Sequence, residues 1–109
     1  GLYIKSSQKV RGPWRYNYIK QHQNEIANLK NIHGEVFNVY VNGTDGFACI
    51  NFSELKRFLD EEHEEQEWIR IRRKRNEAYR VAGNDGRDEM ALRMNNFPNA
   101  IVDYFRDHL

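Results

Sequence analysis

The stretch from residue 35 to residue 59 constrains the fold more than any other part of the chain. It reads as strand, tight turn, strand and helix, because β-branched and aromatic residues fill 36–41 and recur in 47–52. The intervening segment 42–46 holds an Asn-Gly and an Asp-Gly pair, and such pairs supply the positive φ angles that close hairpins. We predict a helix N-cap at Ser53, followed by a glutamate that complements the helix dipole. This unit indicates a fold but no chemistry.

Hydrophobic periodicity predicts the remaining elements. Strands are expected at residues 2–7, 14–20, 68–75 and 78–82, and helices at 22–31 and 99–108. Gly34 is expected to end the first helix. An alternative interpretation makes 53–80 one charged helix stabilised by i,i+4 pairs, but the apolar spacing across 60–67 favours strands. Residues 88–96 are ambiguous.

These elements predict a single small domain of the α+β (or α/β) class. We expect a central, mostly antiparallel sheet of about five to six strands with about two to three helices, spanning residues 1–109. The chain begins with Gly1 rather than Met, so a tag remnant, a processed end and a cut into a longer parent protein all remain open.

Composition excludes several classes of protein. No apolar run approaches the about 18 residues that a membrane span needs, and no signal-peptide pattern is present. The single cysteine, Cys49, lies in a predicted buried strand, which favours a reducing, cytoplasmic location. We expect no metal and no cofactor, because the four histidines are scattered and the acids around His63 are typical of a solvated surface. Whether the chain is an enzyme stays open, since no nucleophile or phosphate-loop motif occurs.

Charge is strongly segregated although the formal net charge is only +1. Residues 1–24 contain no acid, 60–67 are almost wholly acidic and 70–75 are almost wholly basic. Cations bind phosphates and aromatic rings stack on bases, so we predict contact with DNA or RNA. The candidate residues are Lys5, Lys9, Arg11, Trp14, Arg15 and Tyr16 in the N-terminal segment, and Arg70, Arg72 and Lys74 in the later hairpin. The alternative is a solvated sheet surface, and the acidic run would repel the same nucleic-acid backbone.

The order of Leu2–Ser7, an aromatic strand, a helix and the hairpin resembles the later half of PD-(D/E)XK nuclease-like domains. The resemblance covers about residues 2–60, and it implies that Lys5 takes the position of the motif lysine. In that family an acid lies two residues earlier on the strand, where this chain has Tyr3. The resemblance therefore suits an inactive or partial nuclease-like domain. The segments at 68–72 and 79–83 are also similar to small bacterial proteins of unknown function.

A third hypothesis is a protein-interaction module. Blocks of opposite charge at 60–67 and 70–75 would promote self-association of such a module.

Overall fold

The computed structural model describes residues 1–59, 67–83, 89–97 and 99–107 of the chain. Within these ranges lie seven strands and three helices. The strands are β1 (Leu2–Ser7), β2 (Trp14–Tyr18), β3 (Phe37–Asn42), β4 (Gly46–Asn51), β5 (Glu67–Arg72), β6 (Tyr79–Gly83) and β7 (Glu89–Leu92); the helices are α1 (Lys20–His33), α2 (Phe52–Lys56) and α3 (Asn99–Asp107). None of the helices in these ranges is long and apolar enough to cross a membrane.

Three strands form a mixed sheet in the order β1-β3-β4. β1 runs parallel to β3 with Ile4 opposite Val39, and β3 forms the predicted antiparallel hairpin with β4, in which Val39 lies opposite Cys49. β2 and α1 supply the crossover that a parallel pair of strands requires. The central strand β3 is buried along almost its whole length.

The other four strands form an antiparallel sheet in the order β2-β5-β6-β7. Ile71 of β5 lies opposite Trp14 on one side and Val81 on the other. Along β2 the side chains alternate strictly between buried and exposed, which is the pattern of a strand with one covered face and one open face.

The two sheets pack face to face through one hydrophobic cluster. The rings of Tyr16 and Tyr40 meet across the interface with centroids 5.0 Å apart. Ile26 of α1 and Leu55 of α2 belong to the same cluster, so these helices close its sides.

Helix α3 covers the opposite face of the mixed sheet. Phe37, Val39 and Cys49 form a second cluster there, against which Ile101 and Tyr104 of α3 pack. The layers therefore follow one another as antiparallel sheet, mixed sheet and helix α3.

A seam of tyrosines and asparagines crosses the core between the sheets. The Tyr16 hydroxyl donates to Asn42 Oδ1 at 2.6 Å, and the Tyr18 hydroxyl donates to Asn38 Oδ1 at 3.1 Å. The hydroxyls of Tyr18 and Tyr40 are 2.6 Å apart. Burial raises the pKa of Tyr40 well above its usual value, so this phenol stays neutral. We call these five residues the tyrosine–asparagine seam.

The predicted α+β class is confirmed, and the strands are divided between two sheets where one central sheet was expected. The division arises because β2 pairs with β5 instead of joining its sequence neighbours β1 and β3. The ambiguous segment 88–96 contains β7, and β5 and β6 exclude the single helix over 53–80. Residues 60–66, which hold most of the acidic run and His63, lie outside the described residues.

The helix boundaries bring one confirmation and one correction. Gly34 ends α1 in the left-handed conformation at φ 78°, as predicted. The prediction of Ser53 as the N-cap of α2 is wrong, because Asn51 caps this helix. The Asn51 side chain accepts from the Glu54 backbone N–H, and the Glu54 carboxylate accepts from the Asn51 N–H, both at 2.9 Å. This reciprocal pair satisfies two donors at the start of the helix, so the helix starts at Phe52, directly after β4.

Gly43 and Gly34 provide a matched test of the packing between the β1–β2 loop and the β3–β4 turn. Both have positive φ, but a Cβ at Gly43 would overlap the Lys9 carbonyl oxygen, whereas one at Gly34 meets nothing within 4 Å. We expect Gly34→Ala to lower the free energy of unfolding by about 1–2 kcal/mol through backbone strain alone. Gly43→Ala should cost about 1–3 kcal/mol more, because the loop must move as well. Urea unfolding of both variants measures the difference, and equal losses would contradict the packing described.

Candidate functional site

The outer surface of the antiparallel sheet carries four arginines, which we call the arginine face: Arg15, Arg70, Arg72 and Arg80. They share one side because side chains alternate along a strand: in β2 and β5 every second residue is buried in the core, and in β6 Arg80 is exposed between the buried Tyr79 and Val81. The sequence predicted this orientation for Arg70 and Arg72.

The strand register places like charges directly opposite each other twice on this face. Arg15 lies opposite Arg70 across β2 and β5, and Arg72 lies opposite Arg80 across β5 and β6. A like-charged pair in this position destabilises a sheet by about 0.2–1 kcal/mol. The face therefore lowers the stability of the isolated domain.

Two contacts partly offset the repulsion. The Arg15 guanidinium lies over the ring of Trp68, 4.3 Å from its centroid, which holds the side chain in a defined orientation. Arg72 donates two hydrogen bonds to the Glu89 carboxylate, at 2.9 and 3.1 Å. Since this pair is largely exposed, it contributes little to stability.

The other two arginines of the face keep uncompensated charge. Within the described ranges, Arg80 is exposed and forms no ion pair with a carboxylate. Arg70 is half-buried, and its Nε atom is buried with no hydrogen-bond partner among the described residues. An unsatisfied buried donor of this kind costs free energy of folding.

The N-terminal residues predicted to contact nucleic acid lie partly in the core and partly on the surface. Trp14 is 2% exposed and Tyr16 is 4% exposed, so their rings belong to the core and are not open for a base to stack on. The Trp14 Nε1–H donates to the Lys9 carbonyl at 2.8 Å, and the Lys9 ammonium donates to the Pro13 carbonyl at 3.0 Å. Arg11 is exposed in the β1–β2 loop.

Lys5 lies apart from the arginine face, in a shallow groove between β1 and β2. Its Nζ is 3.2 Å from His22 Nδ1 and 4.7 Å from the centroid of the Tyr18 ring. Burial lowers the pKa of Lys5, and the Glu25 carboxylate partly opposes that shift. Arg15 lines the same groove, so the groove opens at the edge of the arginine face.

The described residues do not supply the metal ligands that the nuclease resemblance implies. At the position of the family's acid, the Tyr3 hydroxyl donates to the Glu25 carboxylate at 3.0 Å. In the part of the chain that the structure describes, no group of three His, Cys, Asp or Glu side chains could hold a metal ion. We therefore derive no metal-dependent step from this groove.

A second cluster, which the sequence analysis missed, joins the β3–β4 turn to the segment after β5. The Arg73 guanidinium donates two hydrogen bonds to the Asp45 carboxylate, one of them from Nε at 2.9 Å, and the Tyr79 hydroxyl donates a third at 2.9 Å. The Arg73 hydrogen bond is the main cause of a lowered pKa of Asp45. Burial is the main cause that raises the pKa of Tyr79 to about 12. Lys74, the next residue after Arg73, is exposed.

The missed cluster has a weak signal in the sequence. Asp45 belongs to an Asp-Gly turn motif, so its presence in the sequence is already explained by the hairpin turn. Arg73 lies 28 positions away, within a run of cations that does not mark it out from its neighbours. Alternation does place residue 73 on the opposite side from Arg72, where a cation needs a carboxylate partner. That partner could not be identified from spacing.

Comparisons of the chain with protein-family models, curated proteins and solved structures gave no match.

The pairing of Asp45 with Arg73 predicts a defined pH dependence of stability. Because the pKa of Asp45 is lower in the folded than in the unfolded chain, the pair stabilises the fold above the unfolded value and loses that effect as pH falls through the folded value. Asp45→Asn should lower the free energy of unfolding by about 1–3 kcal/mol at about pH 7. The difference from the unmodified protein should shrink at about pH 3.

Asp103→Asn is the control, since Asp103 is largely exposed and its ion pair with Arg106 spans 3.6 Å. We expect a loss within about 0.5 kcal/mol for this variant. Urea unfolding at both pH values measures these quantities, and a constant cost of Asp45→Asn across the range would contradict the assignment.

Proposed function

We propose that this chain binds DNA or RNA through the arginine face, by contacts to the phosphate backbone. The observation that carries the proposal is the strand register, which places Arg15 directly opposite Arg70 and Arg72 directly opposite Arg80. Like charges in these positions destabilise the free domain, and phosphates lying over both pairs would offset the repulsion. A surface selected for stability alone would place opposite charges in these positions.

The spacing of the face supports a row of phosphates as the ligand. Arg70 and Arg72 are two residues apart on one strand, which separates their Cα atoms by about 6.6 Å, and neighbouring strands are about 4.8 Å apart. Four guanidinium groups on such a grid exceed what a single small anion can contact. Arginine suits this role because its planar fork donates two parallel hydrogen bonds to one phosphate.

The aromatic residues near the face support binding that tolerates many sequences. Trp14 and Tyr16 are buried, and the ring of Trp68 lies under the Arg15 guanidinium. Stacking of a base on Trp68 would require Arg15 to move away first. Contacts to phosphates, which carry no sequence information, therefore dominate the proposed interface.

A cytoplasmic location is part of the proposal. Cys49 is a free and buried thiol, and burial raises its pKa to about 12. A neutral, inaccessible thiol is typical of a structural cysteine in a reducing compartment.

The first test is the salt dependence of binding. With about three to four phosphate contacts, a fourfold rise in salt should weaken binding by about 20- to 150-fold, and the effect should be similar for unrelated sequences. Fluorescence anisotropy with a labelled oligonucleotide measures this. EDTA in the buffer keeps any metal-dependent cleavage apart from binding. Binding that does not change with salt, or that survives replacement of Arg15, Arg70 and Arg80 by Gln, would contradict the proposal.

The second test uses Arg80→Gln, which should change stability and binding in opposite directions. Removing one member of the Arg72–Arg80 pair should raise the free energy of unfolding by about 0.2–1 kcal/mol at low salt. It should also weaken binding of the oligonucleotide and reduce the salt slope by about one. Urea unfolding and anisotropy measure the two effects.

Arg106→Gln is the matched control, because Arg106 is an exposed arginine on α3, on the far side of the mixed sheet. It should leave binding unchanged. If Arg80→Gln binds as tightly as the unmodified protein, or if Arg106→Gln loses as much affinity as Arg80→Gln, the arginine face is not the interface.

A further inference from the structure

A basic cleft lies just beyond the arginine face, at the end of the antiparallel sheet. Arg11 from the β1–β2 loop and Arg73 and Arg75 from the segment after β5 line it, together with Asp45 and Trp14. β5 ends at Arg72, so two of the arginines that line the cleft, Arg73 and Arg75, follow the last arginine of β5 in the chain.

The floor and one wall of the cleft are rigid. Trp14 forms the floor, is 2% exposed and is fixed by its hydrogen bond to the Lys9 carbonyl. Its ring packs edge-on against Tyr79, with centroids 6.1 Å apart at 86°. Gly12 lies flat against the Trp14 ring, because a Cβ at this position would come within 3.0 Å of a ring carbon. The shape is therefore formed before any ligand arrives.

The charges in the cleft are unevenly compensated. Asp45 already accepts hydrogen bonds from Arg73 and Tyr79, so the Asp45–Arg73 pair is neutral as a unit. Arg11 and Arg75 are exposed, and neither forms an ion pair within the described ranges. Among the residues that line the cleft, Asp45 is the sole acid. Two positive charges are left for a ligand.

We infer that this cleft binds the terminal phosphate of a nucleic-acid strand, an inference that rests on the proposed function. A phosphate monoester carries about 1.5 to 2 negative charges at neutral pH, which matches the two free guanidinium groups. A phosphate inside the strand is a diester with one charge, and it lies on the arginine face instead. The segment that lines the cleft follows directly on Arg72 of the arginine face, and the inference has one strand contact both sites.

The experiment compares unlabelled competitors of one sequence, about 12 nucleotides long, that carry a 5′-phosphate, a 3′-phosphate or hydroxyl groups at both ends. Displacement of a labelled oligonucleotide gives each affinity. We expect one of the two phosphorylated ends to improve binding by about tenfold over the hydroxyl-ended competitor. Arg11→Gln and Arg75→Gln should each abolish most of this preference, because each should weaken binding of the phosphorylated strand far more than binding of the hydroxyl-ended strand.

Lys74→Gln is the control, because Lys74 is an exposed cation between Arg73 and Arg75 in sequence but does not line the cleft. The Lys74→Gln variant should still bind the phosphorylated strand more tightly than the hydroxyl-ended strand. The inference is overturned if phosphorylated and hydroxyl-ended strands bind equally, a result that leaves the proposed function intact. It is also overturned if a nucleoside monophosphate binds as tightly as the phosphorylated strand, since the ligand is then a free mononucleotide. If no strand binds at all, the proposed function fails together with the inference.

Discussion

Hydrogen bonds of the tyrosine–asparagine seam fix how the two sheets face each other. Tyr16 and Tyr18 of β2 donate to Asn42 and Asn38 of β3, so β2 can present only one side to the mixed sheet. The Oδ1 atoms of both asparagines have these partners, although their Nδ2 atoms are buried with none among the described residues, and turning β2 over would remove the phenols and bury the charge of Arg15 instead. Because side chains alternate along a strand, the seam also turns Arg15 outward.

The arginine face follows from this seam through strand pairing. β5 and β6 continue the sheet with their apolar residues on the seam side, and their arginines join Arg15 on the other side. The sheet accepts two like-charged pairs there, whereas the inner cation Arg73 receives a carboxylate partner in Asp45. On the outer face Arg72 also has a carboxylate partner in Glu89, whereas Arg70 and Arg80 have none among the described residues, and the proposed binding of a polyanion rests on that remaining charge.

Local signals in the sequence predicted much of the fold. The hairpin at 36–52, the stop at Gly34 and the outward side of Arg70 and Arg72 all come from turn residues or period-two alternation, which act over a few residues. Alternation alone does not tell which side of a strand is buried. Trp14 and Tyr16 were for that reason interpreted as ligand-stacking residues, although their rings form the core.

The features that the sequence did not predict depend on contacts between distant segments. The division into two sheets depends on pairing β2 with β5, about 50 residues later. Because the entropy cost of closing a loop rises only slowly with its length, loop length does not indicate which strand β2 pairs with. The cap of α2 differs for a local reason, since Asn51 and Ser53 are both good N-cap residues and only the reciprocal bond with Glu54 selects Asn51.

An NMR titration of ¹⁵N-labelled protein with an unlabelled oligonucleotide identifies the residues that the nucleic acid contacts. We expect the amide signals of Arg15, Arg70 and Arg80 and the indole signal of Trp68 to shift with a common affinity, while those of α3 do not change. Shifts confined to α3 or to the outer side of the mixed sheet would contradict this expectation.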